Sequence, residues 1–165
     1  MKKIALSGGE FAIVDNRDYE RLSPHHWRAK HDERGNLKNV QRDVRINGKK
    51  RAVLMHHEVI GHPLPGMEVD HENRNPLDNR RKNLRFCTSA LNKANSRKRS
   101  TNTSGFKGVV FLVRGVTKPW AARIQVGDRI IMGGRCFATA EEAARRYDEL
   151  ATKFHGPFAH LNFPK

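Results

Sequence analysis

The sequence predicts an α+β chain of successive parts. A small β-rich segment spans residues 1–53, a polar central segment 54–95, a basic linker 96–103, and a sheet-and-helix domain 104–165. Three observations predict it. Short apolar runs of alternating pattern, bounded by turn residues, recur at both ends of the chain. One long stretch of helical period begins only after residue 139, behind a Thr-x-x-Glu capping signature. Between these ends, an Asp-His pair and two asparagines stand at a spacing suited to a chemical site.

In chain order, Phe11-Ala12-Ile13-Val14 and residues 40–46 read as strands. Residues 18–22 make a single helical turn, stopped by Ser23-Pro24. Asn47 and Gly48 both tolerate positive φ, so a tight hairpin joins residues 44–46 to 51–54. The role expected of this segment is to pack against the central one. Its His25-His26 pair reads as polar surface or satisfied core in preference to a metal site. A short helix over 54–60 is closed by Gly61 and Pro63. His56 and His57 begin it and stay outside the catalytic set.

Residues 96–103 are small and polar, with a positive run at Arg97-Lys98-Arg99. They build no core and read as a tether that also lies along the phosphate backbone. Three runs, 108–112, 120–126 and 129–132, read as an antiparallel sheet with Gly127-Asp128 at its second turn. The helix behind Thr139 repeats apolar residues at Ala140, Ala143, Ala144, Tyr147, Ala151 and Phe154, one buried stripe, and Gly156-Pro157 ends it. One helix covers one face of such a sheet. The other face is left free, and it is expected to be basic.

Lys and Arg number 32 against 17 Asp and Glu, a net charge of +15. Such an excess concerns association, not fold. No apolar stretch approaches the roughly 20 residues of a membrane span, so the expected polyanionic partner is nucleic acid and not a membrane. Lys2-Lys3 with Ile4-Ala5-Leu6 is too short an apolar run for a secretory signal. Cys87 and Cys136 lie far apart with no Cys-x-x-Cys partner, which points to a reducing compartment and to neither a disulfide framework nor a cysteine zinc site. A length of 165 residues allows one or two small domains, each with a modest core.

The chemistry is concentrated at Asp70-His71, Asn83 twelve residues on, and Asn92 nine after that. Phosphodiester hydrolysis needs a hard cation against the phosphate, and Asp70 is a suitable anionic ligand for Mg²⁺, with Asn92 as a neutral carbonyl ligand. It needs a base near neutral pH, and His71 is the side chain best matched to that. An imidazole works as a base when its other nitrogen is held, a role open to Asn83.

At Val69-Asp70-His71, the loop from Glu72 to Lys82, Asn83-Leu84-Arg85 and Ser89-Ala90-Leu91-Asn92, the chain resembles an HNH nuclease. The likeness is to the H-N-N variant of phage and intron homing endonucleases. The resemblance implies a ββα-metal core, with strands at 66–71 and 84–88 and a helix at 89–96. It makes Asp70 and Asn92 the metal ligands, His71 the general base and Asn83 its positioning residue. Arg80, Arg81, Lys82 and Arg85 flank that site as candidate phosphate contacts. A divalent ion, most simply Mg²⁺, is the cofactor expected, with no small-molecule cofactor besides. The implied setting is the cytoplasm of a bacterial host, with the gene carried by a phage or mobile element.

Ser104-Gly105-Phe106-Lys107-Gly108-Val109, Trp120-Ala121-Ala122-Arg123-Ile124, the run Phe137 to Ala144, and Leu161-Asn162-Phe163-Pro164 resemble an Apetala-two/ERF DNA-binding domain. Such domains lay their sheet in the major groove. By position, Arg123 and Gln125 become base readers, because both side chains form paired hydrogen bonds. Lys107 and Trp120 become further DNA contacts, although Trp120 reads equally well as core. Val110 and Phe111 stand where plant members commonly carry arginine, and Gly133-Gly134-Arg135-Cys136 is one residue longer than usual, so the plant target does not transfer. Together these features predict a metal-dependent endonuclease on double-stranded DNA. It would nick one strand to leave a 5′ phosphate and a 3′ hydroxyl, as a monomer or weak dimer. The alternative is a non-catalytic, sequence-specific DNA-binding regulator; an RNA-binding protein is a weaker third.

Overall fold

The computed structural model describes residues 1–112 and 117–164. The chain divides into two compact units, Met1–Thr88 and Ser89–Lys165. The division falls inside the expected central segment, after its second strand. Lys165, the last residue of the expected C-terminal domain, lies outside the described residues.

The first unit is built on β1 (Lys2–Ser7), β2 (Phe11–Val14), α1 (Asn16–Leu22), β3 (Trp27–His31), β4 (Leu37–Ile46) and β5 (Lys49–Leu54). The strands form one sheet in the order β2-β1-β3-β4-β5, antiparallel except where β1 meets β3. Asn47 at φ 50° and Gly48 at φ 72° make the hairpin turn that the sequence predicts. Then come α2 (Met55–Ile60), β6 (Met67–His71) and β7 (Leu84–Thr88), the last two an antiparallel pair with Asp70 opposite Arg85 and His71 opposite Leu84.

One apolar core serves the whole unit. Ile4, Leu6, Val14, Leu22, Trp27 and Val40 from the N-terminal segment pack with Met55, Val59 and Leu84. Trp27 is fully buried, and its indole N–H donates to the Leu22 carbonyl at 2.8 Å, so the one polar atom of the ring is satisfied. The segment before residue 54 also grips the long loop between β6 and β7. Ile13 N–H donates to the Leu77 carbonyl (2.7 Å), and the Ile13 carbonyl accepts from Asn79 N–H (2.8 Å). The edge of β2 therefore fixes the part of the loop that carries Asp78 and Asn79.

The second unit holds α3 (Ser89–Asn95), β8 (Val109–Phe111), β9 (Trp120–Val126), β10 (Arg129–Phe137) and α4 (Ala140–His155). Its sheet runs β10-β9-β8, all antiparallel, with α4 packed on one face through Ala122, Ile124, Tyr147, Leu150 and Ala151. The third strand is five residues longer than its predicted end at 132. Its register shifts between Met132 and Gly134 and again between Arg135 and Phe137, with Gly134 at φ 147° and Cys136 at φ 73°. The Gly-Gly pair that reads as a strand end is a bulge, and the two shifts return Phe137 to the helix side.

α4 begins as predicted. Thr139 Oγ accepts from Glu142 N–H (3.1 Å), while the Glu142 carboxylate reaches back to Ala138 N–H at 2.9 Å. The buried stripe needs a correction. Leu150 and His155 are buried, whereas Phe154 is 37% exposed beside the Lys153 ammonium. In the last turn the inward place goes to His155.

Candidate functional site

Asp70 and His71 end β6 as buried residues, and their positions follow from the β6–β7 pairing. Arg85, directly across from Asp70, donates from Nε to Asp70 Oδ2 at 2.8 Å. Asp70 is thus gripped by a partner on the neighbouring strand. Arg85, expected to touch phosphate, has this intramolecular role.

His71 Nε2 lies 3.4 Å from Asn79 Oδ1. The Asn79 amide is oriented by its other end, since Nδ2 donates to the Pro76 carbonyl at 3.0 Å. Its oxygen only accepts, so the contact calls for the proton on Nε2 and puts the basic lone pair on Nδ1. Burial holds the His71 imidazole below the ordinary histidine value, against the upward pull of the Asn79 hydrogen bond and of the Asp70 and Asp78 carboxylates. A neutral ring at pH 7 is what a general base requires. The His56 ring stands edge-on to His71, with centroids 5.4 Å apart. Burial, with the neighbouring His71 and His57 rings, pushes His56 down to about 3, and its buried Nδ1 has no hydrogen-bond partner among the described residues. The pair places two neutral imidazoles side by side.

Asn83 is buried, and its side chain ties the loop together. Nδ2 donates to the Asp78 carbonyl (2.7 Å), and Oδ1 accepts from Asn73 N–H (2.9 Å). Asn83 thus positions the segment that carries Asn79, and Asn79 makes the side-chain contact with His71. Sequence reasoning missed Asn79, because a buried asparagine in a polar loop reads as a turn residue. The available signal was its place next to Asp78 in a loop with four other asparagines or aspartates.

Two other arginines expected at phosphate are also engaged. Arg80 Nε donates to Asp78 Oδ1 at 2.7 Å, and this bond holds Asp78 below the usual carboxylate range. Arg81 grips buried Asp18 with Nε (2.9 Å) and Nη2 (2.8 Å), which, with Arg21, holds Asp18 low as well. Lys82 is exposed.

Asn92 sits in the middle of α3, in the second unit, half-buried. The Asp70 carboxylate and the Asn92 amide oxygen are each, taken singly, the kind of hard donor a divalent cation accepts. Among the described residues no group of three His, Cys, Asp or Glu side chains could hold a metal.

In the second unit, Arg123 and Gln125 are exposed and lie on the sheet face opposite α4, as the alternation along β9 requires. Gln125 Nε2 donates to the Gly127 carbonyl at 3.1 Å. Two residues expected to contact DNA make contacts within the unit. Trp120, three residues before Arg123, falls on the helix side and packs partly buried against Val109, Ala143 and Ala144. Lys107 Nζ donates to the Ala94 and Ser96 carbonyls, closing the C-terminal end of α3, while its backbone is clasped by Asn162. The linker is tied too: Lys98 Nζ donates to the Gly105 carbonyl (2.6 Å) and Asn102 Nδ2 to the Phe106 carbonyl (2.9 Å). Arg97 and Arg99 are exposed, and with Arg123, Gln125 and Ile130 they line a groove of about 980 Å³.

Residues 53–94 match the family model described as HNH endonuclease, a span that contains Asp70, His71, Asn79, Asn83 and Asn92. A curated relative, Dehydration-responsive element-binding protein 2A of Arabidopsis thaliana, is 47% identical over 49 residues, which are 28% of this chain and 14% of that protein. No solved structure matches. The chain carries an HNH endonuclease segment, and that supports a nuclease-type function acting on DNA.

Proposed function

We propose that the protein is a metal-dependent endonuclease that nicks double-stranded DNA, with cutting assigned to the HNH segment and sequence reading to the sheet of the second unit. The observation that carries the reading is the environment of His71. It is a buried imidazole, kept neutral, with Asn79 setting its tautomer and Asp70 beside it. In the proposed reaction His71 Nδ1 takes a proton from the attacking water. Asn83 and Asn79 keep the ring in place through the loop. Asp70 and Asn92 would hold the divalent ion, most simply Mg²⁺, which neutralises charge on the phosphate and on the departing 3′ oxygen. The products would be a 5′ phosphate and a 3′ hydroxyl. Phosphate contacts fall to the exposed Arg97 and Arg99 of the linker and to Lys82, since Arg80, Arg81 and Arg85 hold carboxylates.

The test is nicking of supercoiled plasmid carrying random inserts, with and without Mg²⁺. The wild-type chain should nick only with the ion. Asp70→Ala should lose activity that added Mg²⁺ restores in small part at most, and Asn79→Ala should lose rate while binding DNA as before. Nicking by Asp70→Ala at the wild-type rate would remove the assignment.

A further inference from the structure

The free sheet face is not simply basic. Ile130 is 62% exposed and Met132 is 39% exposed, and in the β9–β10 register Met132 lies directly opposite Arg123 and Ile130 directly opposite Gln125. Their neighbour Ile131 turns inward and packs in the core beneath α4, so the alternation itself sends Ile130 and Met132 out. Large apolar side chains normally face the core, and here two of them interleave with the two best candidates for hydrogen bonding to bases. We propose that Ile130 and Met132 make this face a reader of thymine 5-methyl groups in the major groove of duplex DNA. The inference rests on the sheet being the reading surface.

The chemistry fits that occupant. Charge on this unit is strongly positive, with 14 Lys and Arg against 5 Asp and Glu over residues 89–165, and Arg97, Lys98 and Arg99 line the same groove as Arg123 and Ile130. In the major groove thymine alone among the four bases presents a methyl group, and an apolar side chain is its natural contact. Residues directly opposite on paired strands have their Cβ atoms about 5 Å apart. Successive base pairs rise by about 3.4 Å. Met132 and Ile130 therefore reach the base pairs within one or two steps of those met by Arg123 and Gln125. Arginine favours guanine and glutamine favours adenine, so the favoured site combines G and A with flanking thymines.

The experiment uses the full chain in EDTA, which prevents cutting. A preferred sequence is selected from random duplexes, then remade with deoxyuridine in place of each thymidine in turn. This deletes the methyl and leaves every hydrogen-bonding edge intact. Wild type should bind about fourfold more weakly for each contacted methyl removed, the transfer value of one buried carbon. Met132→Ala and Ile130→Ala, both exposed and so without cost to folding, should each bind the thymidine and deoxyuridine versions equally at one position. A preferred sequence without thymine, or bound equally with deoxyuridine, overturns the methyl proposal and leaves the sheet as reader. Methyl dependence unchanged in both variants overturns the assignment to these residues. Selection that returns no preferred sequence, or tighter binding to duplex RNA, overturns the sheet as a DNA reader and the proposal with it.

Discussion

Arginines are abundant in both units, and their surroundings differ. Over residues 1–88 there are 18 Lys and Arg against 12 Asp and Glu, and over 89–165 there are 14 against 5. In the first unit Arg80, Arg81 and Arg85 each find a carboxylate, on Asp78, Asp18 and Asp70, and those acids are buried. There the guanidinium groups fix a loop and the end of β6. In the second unit Arg97, Arg99 and Arg123 stand exposed around a groove. Positive charge within an HNH segment is therefore not by itself a nucleic-acid contact. Acids within reach decide whether a guanidinium is engaged inside the protein.

Trp27→Ala empties the centre of the first core and should cost about 3–5 kcal/mol there. Calorimetry should show that transition falling while the unit with α4 melts as before. Next, His56 sits at about 3 when folded and near 6.5 when unfolded. The unfolded chain takes the proton first, so stability falls as pH drops from 6.5 towards 3, by about 1.4 kcal/mol per pH unit at most. Asp18, held low by Arg81, adds a loss below 3.8. Melting at pH 7 and pH 5 should show this fall in wild type and a smaller one in His56→Leu.

The arginines themselves give a paired test. Arg81→Ala strips buried Asp18 of a partner and should destabilise the first unit by about 1–3 kcal/mol with DNA affinity unchanged. Arg123→Ala should leave melting unchanged and cost about 1–3 kcal/mol on the preferred duplex but little on random duplex. Equal effects of the two on binding would break the contrast. Smallest is Thr139→Ala, about 1 kcal/mol from the lost cap of α4, read by denaturant titration.

Much of this was legible in the sequence because it depends on local pattern. The β9 alternation, the Asn47-Gly48 turn and the Thr139 cap are written in neighbouring residues. So was the spacing of Asp70, His71, Asn83 and Asn92. What escaped depends on partners distant in the chain. Arg81 meets Asp18 63 positions away, and Lys107 finds carbonyls at the end of α3 that no local rule assigns to it. Asn79 escaped because its importance lies in burial, and nothing in a polar loop announces a buried amide. Trp120 reads equally as core or contact until the strand register settles its face.

The division of labour is tested most directly by footprinting and nicking on one plasmid that carries the selected sequence, comparing wild type with His71→Ala in Mg²⁺. Both proteins should protect the same site with equal affinity. Wild type should nick beside it, and His71→Ala should nick about 10²–10⁴-fold more slowly, the usual cost of a lost general base. Nicking at the wild-type rate by His71→Ala, or loss of the footprint with the base, would contradict the account.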